Sequence, residues 1–147
     1  MRVANATVFV LALVSSAALA ASDTFPPLSQ PDRSDPAVAA FVAWHTALVK
    51  GDFAGYQRLT PAMPNVNDDL LRQLFDQLRL TAPKTVQVTV PKTNVKGGVE
   101  FQTVGCIGAR PVVSVVAVGN RSGTWMVGGS AWGPSWNPKI SDFVKCP

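Results

Sequence analysis

DPAVAAFVAWHTALVKGDFAGYQRLT, residues 35–60, reads as two helices joined by a turn. Asp35 is a good N-cap, and Pro36 suits the first helical position, where a missing N–H costs nothing. Val38, Phe41, Val42, Leu48 and Val49 recur at helical spacing and form one apolar stripe. That helix is expected to run to about Lys50, with Gly51 as its stop. His45, the one histidine of the chain, falls in the middle of the stripe. Asp52 caps a second, shorter helix through Phe53, Tyr56 and Leu59, which Thr60-Pro61 ends. Beyond the Pro/Asn segment 61–67, the pattern returns from Asp68 to about Leu80. Leu70, Leu71, Leu74, Phe75 and Leu78 are its expected buried face, with Asp68 and Asp69 at the positive helix start and Arg79 near the end.

From Lys84 the period changes to two. Val86, Val88 and Val90 alternate with Gln87 and Thr89, the pattern of a half-solvated strand. Lys96-Gly97-Gly98 marks a turn, and a strand follows from Val99 through Phe101 and Thr103 to Ile107. Gly108 to Pro111 breaks the chain. The run Val112 to Val118 contains no proline and is expected to be a central strand buried on both faces. Asn120-Arg121-Ser122-Gly123 reads as a hairpin turn, and Thr124 to Trp132 as the last strong strand, bent at Gly128-Gly129. The tail to Pro147 carries a short apolar piece at Ile140–Val144. Helices first and an antiparallel meander after them predict an α+β fold, with N-terminal helices packed on a sheet of about four strands.

Outside this core, residues 1–20 have the three parts of a secretory signal. Arg2 gives a positive start, Val8 to Val14 an apolar run, and Ala18-Leu19-Ala20 a small-x-small cleavage pattern. The apolar run is too short for a spanning helix, so no stable membrane insertion is expected after cleavage. Residues 21–35, with Pro26, Pro27 and Pro31, read as an extended leader, leaving 36–147 as one domain. Cys106 and Cys146 are the only cysteines of the 147 residues. In an exported protein, periplasmic or secreted, they predict a disulfide that ties down the C-terminal tail.

The net charge of +4 is unevenly placed: residues 21–80 carry five Lys/Arg and seven Asp, residues 81–147 seven Lys/Arg against Glu100 and Asp142. The basic residues stand singly, and export makes nucleic acid an improbable partner. One histidine and two distant cysteines form no metal-ligand cluster, and there is no phosphate-binding glycine loop, so neither metal nor cofactor is expected.

FVAWHTALVKGDFAGYQRLT (41–60) resembles the opening of NTF2-like, cystatin-like α+β domains: a long amphipathic helix, a Gly-Asp turn and a short aromatic-bearing helix. NRSGTWMVGG (120–129) is similar to their closing hairpin. The resemblance covers roughly residues 36–132 through loose patterns. It implies a curved sheet wrapped around the first helix as a cone with an internal pocket. Members include isomerases, cyclases, dehydratases and non-catalytic partners, and homodimers paired through their sheets are common among them, so the fold does not select a function.

On this reading the chain is expected to be an exported, non-catalytic binding protein. An apolar pocket would hold a small apolar ligand, with Phe41, His45, Tyr56 and Trp125 as contacts. Alternatively the basic sheet face would engage another exported protein, as an inhibitor or immunity partner of a secreted toxin. An isomerase- or dehydratase-type enzyme is the third reading. Its shortage is acid: residues 84–132 hold only Glu100, and alternation leaves open whether that side chain faces pocket or solvent. Trp125, Trp132 and Trp136 serve either core packing or a binding surface. Asn120-Arg121-Ser122 also matches a glycosylation sequon on an exposed turn.

Overall fold

In the computed structural model, which describes residues 26–129, 131–135 and 140–147, Asp35 starts the first helix as its chemistry predicts. Its carboxylate accepts the N–H groups of Ala37 at 2.8 Å and Val38 at 3.2 Å. Helix α1 (Pro36–Lys50) ends at Gly51, whose φ of 79° is the left-handed conformation that glycine takes without strain. A side chain there would also meet the Arg79 guanidinium, which lies at the negative end of α1. Asp52 caps α2 (Phe53–Leu59), and Asn67 caps α3 (Asp68–Thr81). The signal reading of residues 1–20, leader residues 21–25, Ser130 and Trp136 lie outside the described residues.

Among the described residues the fold is α+β, with four helices and one open antiparallel sheet of seven strands. Its main path runs β1 (Leu28–Ser29), β2 (Val86–Thr89), β4 (Val99–Ile107), β5 (Arg110–Arg121) and β6 (Thr124–Gly129). β3 (Lys92–Thr93) pairs with β4, and β7 (Gly133–Pro134) with β5. The expectation of about four strands therefore undercounts. β1, β3 and β7 are two residues each, too short to carry a period, and all three adjoin or contain proline. Within the described part of the leader, Leu28 and Ser29 add a strand, with Leu28 opposite Thr89.

The last strand is not continuous to Trp132. Gly129 stands opposite Val116 and Gly133 opposite Val113, so one extra residue is accommodated on the outer side, as a bulge does. The hairpin before it turns at Ser122-Gly123, both with positive φ (52° and 87°), the type I′ geometry whose twist matches the strands.

One face of the sheet carries the main core. Val86, Val88, Phe101, Val112, Val116, Val118 and Val127 meet Val38, Phe41, Trp44 and Leu48 of α1, with Tyr56 and Phe75 beside them. Phe41 is fully buried and stands edge-on to Phe101 at 5.3 Å. Truncating a ring so placed costs about 3–5 kcal/mol. β5 is not buried on both faces: Val115 is 53% exposed, and Ala117 is open as well. Helices α1, α2 and α3 occupy the other side. Nor is the expected α3 face fully covered. Phe75 is buried and Leu71 and Leu78 are half-buried, but Leu70 and Leu74 remain 40% and 39% exposed.

The opposite face is covered at one end only. α4 (Ile140–Phe143) and Val144 pack on Val104, with Leu28, Val113 and the two cysteines around them. Cys106 and Cys146 form a disulfide with Cα atoms 5.6 Å apart, which fixes the tail to β4. A formed disulfide is consistent with a non-cytoplasmic location, and among the described residues no helix is long and apolar enough to cross a membrane. The bridge spans 40 residues of sequence, for which loop closure gives about 4 kcal/mol at most. The Cys106→Ala/Cys146→Ala variant is therefore expected to lose up to that amount in urea unfolding, with dithiothreitol lowering the wild-type midpoint in the same direction. An unchanged midpoint would show that the tail adds nothing to the fold.

Candidate functional site

Between α1 and the sheet the aromatic residues form a chain of contacts. Phe41 lies 6.2 Å from Trp44 and 5.8 Å from the His45 ring, Trp44 lies 5.3 Å from Tyr56, and Tyr56 lies 5.0 Å from Phe75. Trp132, turned onto this face beside the bulge, lies 6.1 Å from Trp44 and 5.5 Å from His45. The fold thus brings Phe41, His45 and Tyr56 into one cluster. Trp125 does not join it directly: the side chain is half-buried on β6, packed at the margin of the core.

His45 is 6% exposed, and its Nε2–H donates to the Pro83 carbonyl at 2.9 Å. This bond ties α1 to the link between α3 and β2. The same link presses on β4: a Cβ at Gly105 would come within 2.5 Å of the Pro83 ring and 2.6 Å of the Thr85 carbonyl, so only glycine fits there. Burial pushes the His45 pKa below its ordinary 6.5, while the bond to Pro83 works weakly the other way. Burial likewise raises the Tyr56 phenol above 10, with Thr60 opposing. Both groups are neutral near pH 7. The Thr60 hydroxyl also accepts the Trp44 indole N–H at 3.1 Å and donates to the Tyr56 carbonyl at 2.8 Å, so the first tryptophan is satisfied.

Trp132 is not. Its indole N–H and the Thr103 hydroxyl are buried with no hydrogen-bond partner among the described residues, the residues being 4% and 0% exposed. Thr103 stands opposite Ser114, also buried, and Trp132 follows on the far side of β5, just before Gly133 opposite Val113. A polar row therefore crosses the helix-facing side of the sheet and ends beside His45. Sequence reasoning passed over Thr103 and Ser114. The signal was there: each occupies an apolar phase, Thr103 between Phe101 and Gly105, Ser114 between Val112 and Val116.

Glu100 lies on the other face. It is exposed, stands opposite Lys92, and accepts a hydrogen bond from the Asn94 amide at 2.9 Å. With Pro26, Pro27, Val90, Lys92 and Val115 it lines an open groove of about 350 Å³ over the uncovered half of the sheet. The other basic residues of this half of the chain that the structure describes (Lys84, Lys96, Arg110, Arg121 and Lys145) are exposed at strand ends, turns and the tail. Asn120 is exposed, and its Oδ1 accepts the Gly123 N–H at 2.9 Å within the hairpin turn. Among the described residues no group of three His, Cys, Asp or Glu side chains could hold a metal ion. No family profile, curated protein or solved structure matches the chain.

Because His45 is neutral in the fold, the unfolded chain takes up its proton first as the pH falls. Stability is full above the ordinary value of 6.5 and is lost as the pH drops through the lowered one. Since the chain has one histidine, urea midpoints at about pH 7.5 and about pH 5.5, between the usual histidine and carboxylate ranges, isolate it. The lower pH is expected to give the lower midpoint, and His45→Gln to flatten the difference. A wild-type midpoint that does not move would place the imidazole in water.

Proposed function

We propose that this chain is an exported, non-catalytic binding protein of NTF2-like build. It takes a small, largely apolar ligand with at least one hydrogen-bond acceptor between α1 and the sheet. The observation that carries the reading is the orphaned pair, Thr103 Oγ1 and Trp132 Nε1–H, buried on the face where Phe41, His45 and Tyr56 gather. An unpaired buried polar group costs about 1–3 kcal/mol. An indole N–H can only donate, so a ligand oxygen is the complement it lacks. The surrounding rings supply apolar walls, and the neutral His45 and Tyr56 add polarity without charge. Helices against one face of an open antiparallel sheet support the NTF2-like reading, and the disulfide supports export.

The isomerase reading is weaker. Its general base would have to be His45, whose Nε2 is engaged by Pro83, since Glu100 lies on the opposite face. The groove beside Val90 and Val115 favours a second reading, an exported protein partner on the open half of the sheet.

Native mass spectrometry of the protein purified from the exporting compartment tests the first reading. A stoichiometric small adduct is expected, and Thr103→Val with Trp132→Phe is expected to abolish it. A bare chain whose stability rises by about 1 kcal/mol in Thr103→Val would instead mean that the two groups are simply unsatisfied, and would overturn the ligand.

A further inference from the structure

Two neighbouring rows on the far face of the sheet are treated differently. Val104 of β4 stands opposite Val113 of β5, and the next row on that face is Gln102 opposite Val115. Val104 is 1% exposed beneath Ile140 and Val144, whereas Val115 is 53% exposed beside the groove. The strands run on unbroken through both rows, so the tail decides where covered sheet ends and open sheet begins.

The tail has little of its own to keep it there. α4 is a single turn, and a helix that short does not persist without outside support. The Val144 N–H closes the turn on the Ile140 carbonyl at 2.9 Å, and the Lys145 ammonium donates to the Ser141 carbonyl at 3.1 Å. Both bonds stay within the tail. Ile140 and Val144 are buried, while Ser141, Asp142 and Lys145 are exposed. The covalent tie to β4 is the Cys106–Cys146 bond, one residue before Pro147. Both cysteines are half-buried rather than enclosed, and disulfides that solvent can reach are the labile ones. Residues 140–147 contain no strand, so the ladders of the sheet do not run through the segment that the bond holds.

We propose that residues 140–147 are a disulfide-locked cover, and that thiol–disulfide exchange at Cys106–Cys146 lifts it from the sheet while the domain stays folded. The reductant is a dithiol, either a small molecule or the active site of an exported oxidoreductase. One thiolate attacks a sulfur of the bond, giving a mixed disulfide and a cysteine thiolate, and the second thiol then displaces the other cysteine. The dithiol ends as a disulfide, and Cys106 and Cys146 each take a proton and end as thiols. Lifting the cover bares Val104, with Val113 and Leu28 beside it, and joins them to the open row at Val115 and Val90. Redox state thus sets how much apolar sheet is open, on the face opposite the aromatic cluster.

Hydrogen exchange on the protein expressed from the full 147-residue chain, in native buffer with and without dithiothreitol, tests this. On reduction the Val144 amide is expected to lose protection by about tenfold or more. Emission of anilinonaphthalene sulfonate, which binds exposed apolar surface, is expected to rise. The amides of Val116 and Val118, central in the sheet, are expected to keep their protection. The Cys106→Ala/Cys146→Ala variant should show the same open form without reductant. Val144 protection that survives reduction would mean that packing alone holds the tail, and overturns the proposal. So does loss at Val116 and Val118 together with Val144, since the bond would then support the whole fold. An unprotected Val144 with unchanged dye emission overturns it as well, because no apolar surface would have been uncovered.

Discussion

The bond from His45 to the Pro83 carbonyl holds together parts of the chain that have little else in common. It joins the first helix to the connection that carries the chain from helices to sheet, and that connection lies so close to β4 that Gly105 can have no side chain. Three elements are therefore positioned by one donor and one absent methyl group. The geometry sets how deep α1 lies on the sheet, and so how Phe41 meets Phe101 and where the rings of Trp44 and Tyr56 fall. An imidazole is costly to bury. Here the cost is met by a backbone acceptor in the same interior.

Around that anchor the sheet divides the molecule into two unequal surfaces. The helix side is aromatic, with a row of buried polar groups from Thr103 to Trp132. The far side is half covered by the disulfide-tied tail and half open above Val90 and Val115. A ligand with an oxygen atom and a protein partner would thus use opposite faces of one sheet, and neither would obstruct the other.

Much of this was legible in the chain. The caps at Asp35 and Asp52, the stop at Gly51 and the change of period after Lys84 identify helices and strands because they act through local chemistry. So does the hairpin at Ser122-Gly123, where positive φ selects the residues. What was not legible depended on neighbours. β1, β3 and β7 exist only because a longer strand offers them an edge. Leu70 and Leu74 have a helical period, but α3 is rolled so that Phe75 takes the core, and period alone cannot say how far a stripe is covered. Of the candidate site, Phe41, His45 and Tyr56 were visible as inward residues, while Trp125 turned out to lie at the margin. The side of Glu100 was open because alternation tells faces apart without saying which one the helices occupy.

The Cys106–Cys146 bond has one more consequence. It closes a covalent ring through β5, β6 and β7, a ring that contains the exposed Ser122-Gly123 turn. Exposed turns are where proteases cut first. A cut there would leave both fragments attached to each other, each still paired within the sheet. Wherever the bond persists, such damage would change the chain's ends without releasing a piece, and it would show on a gel only after reduction.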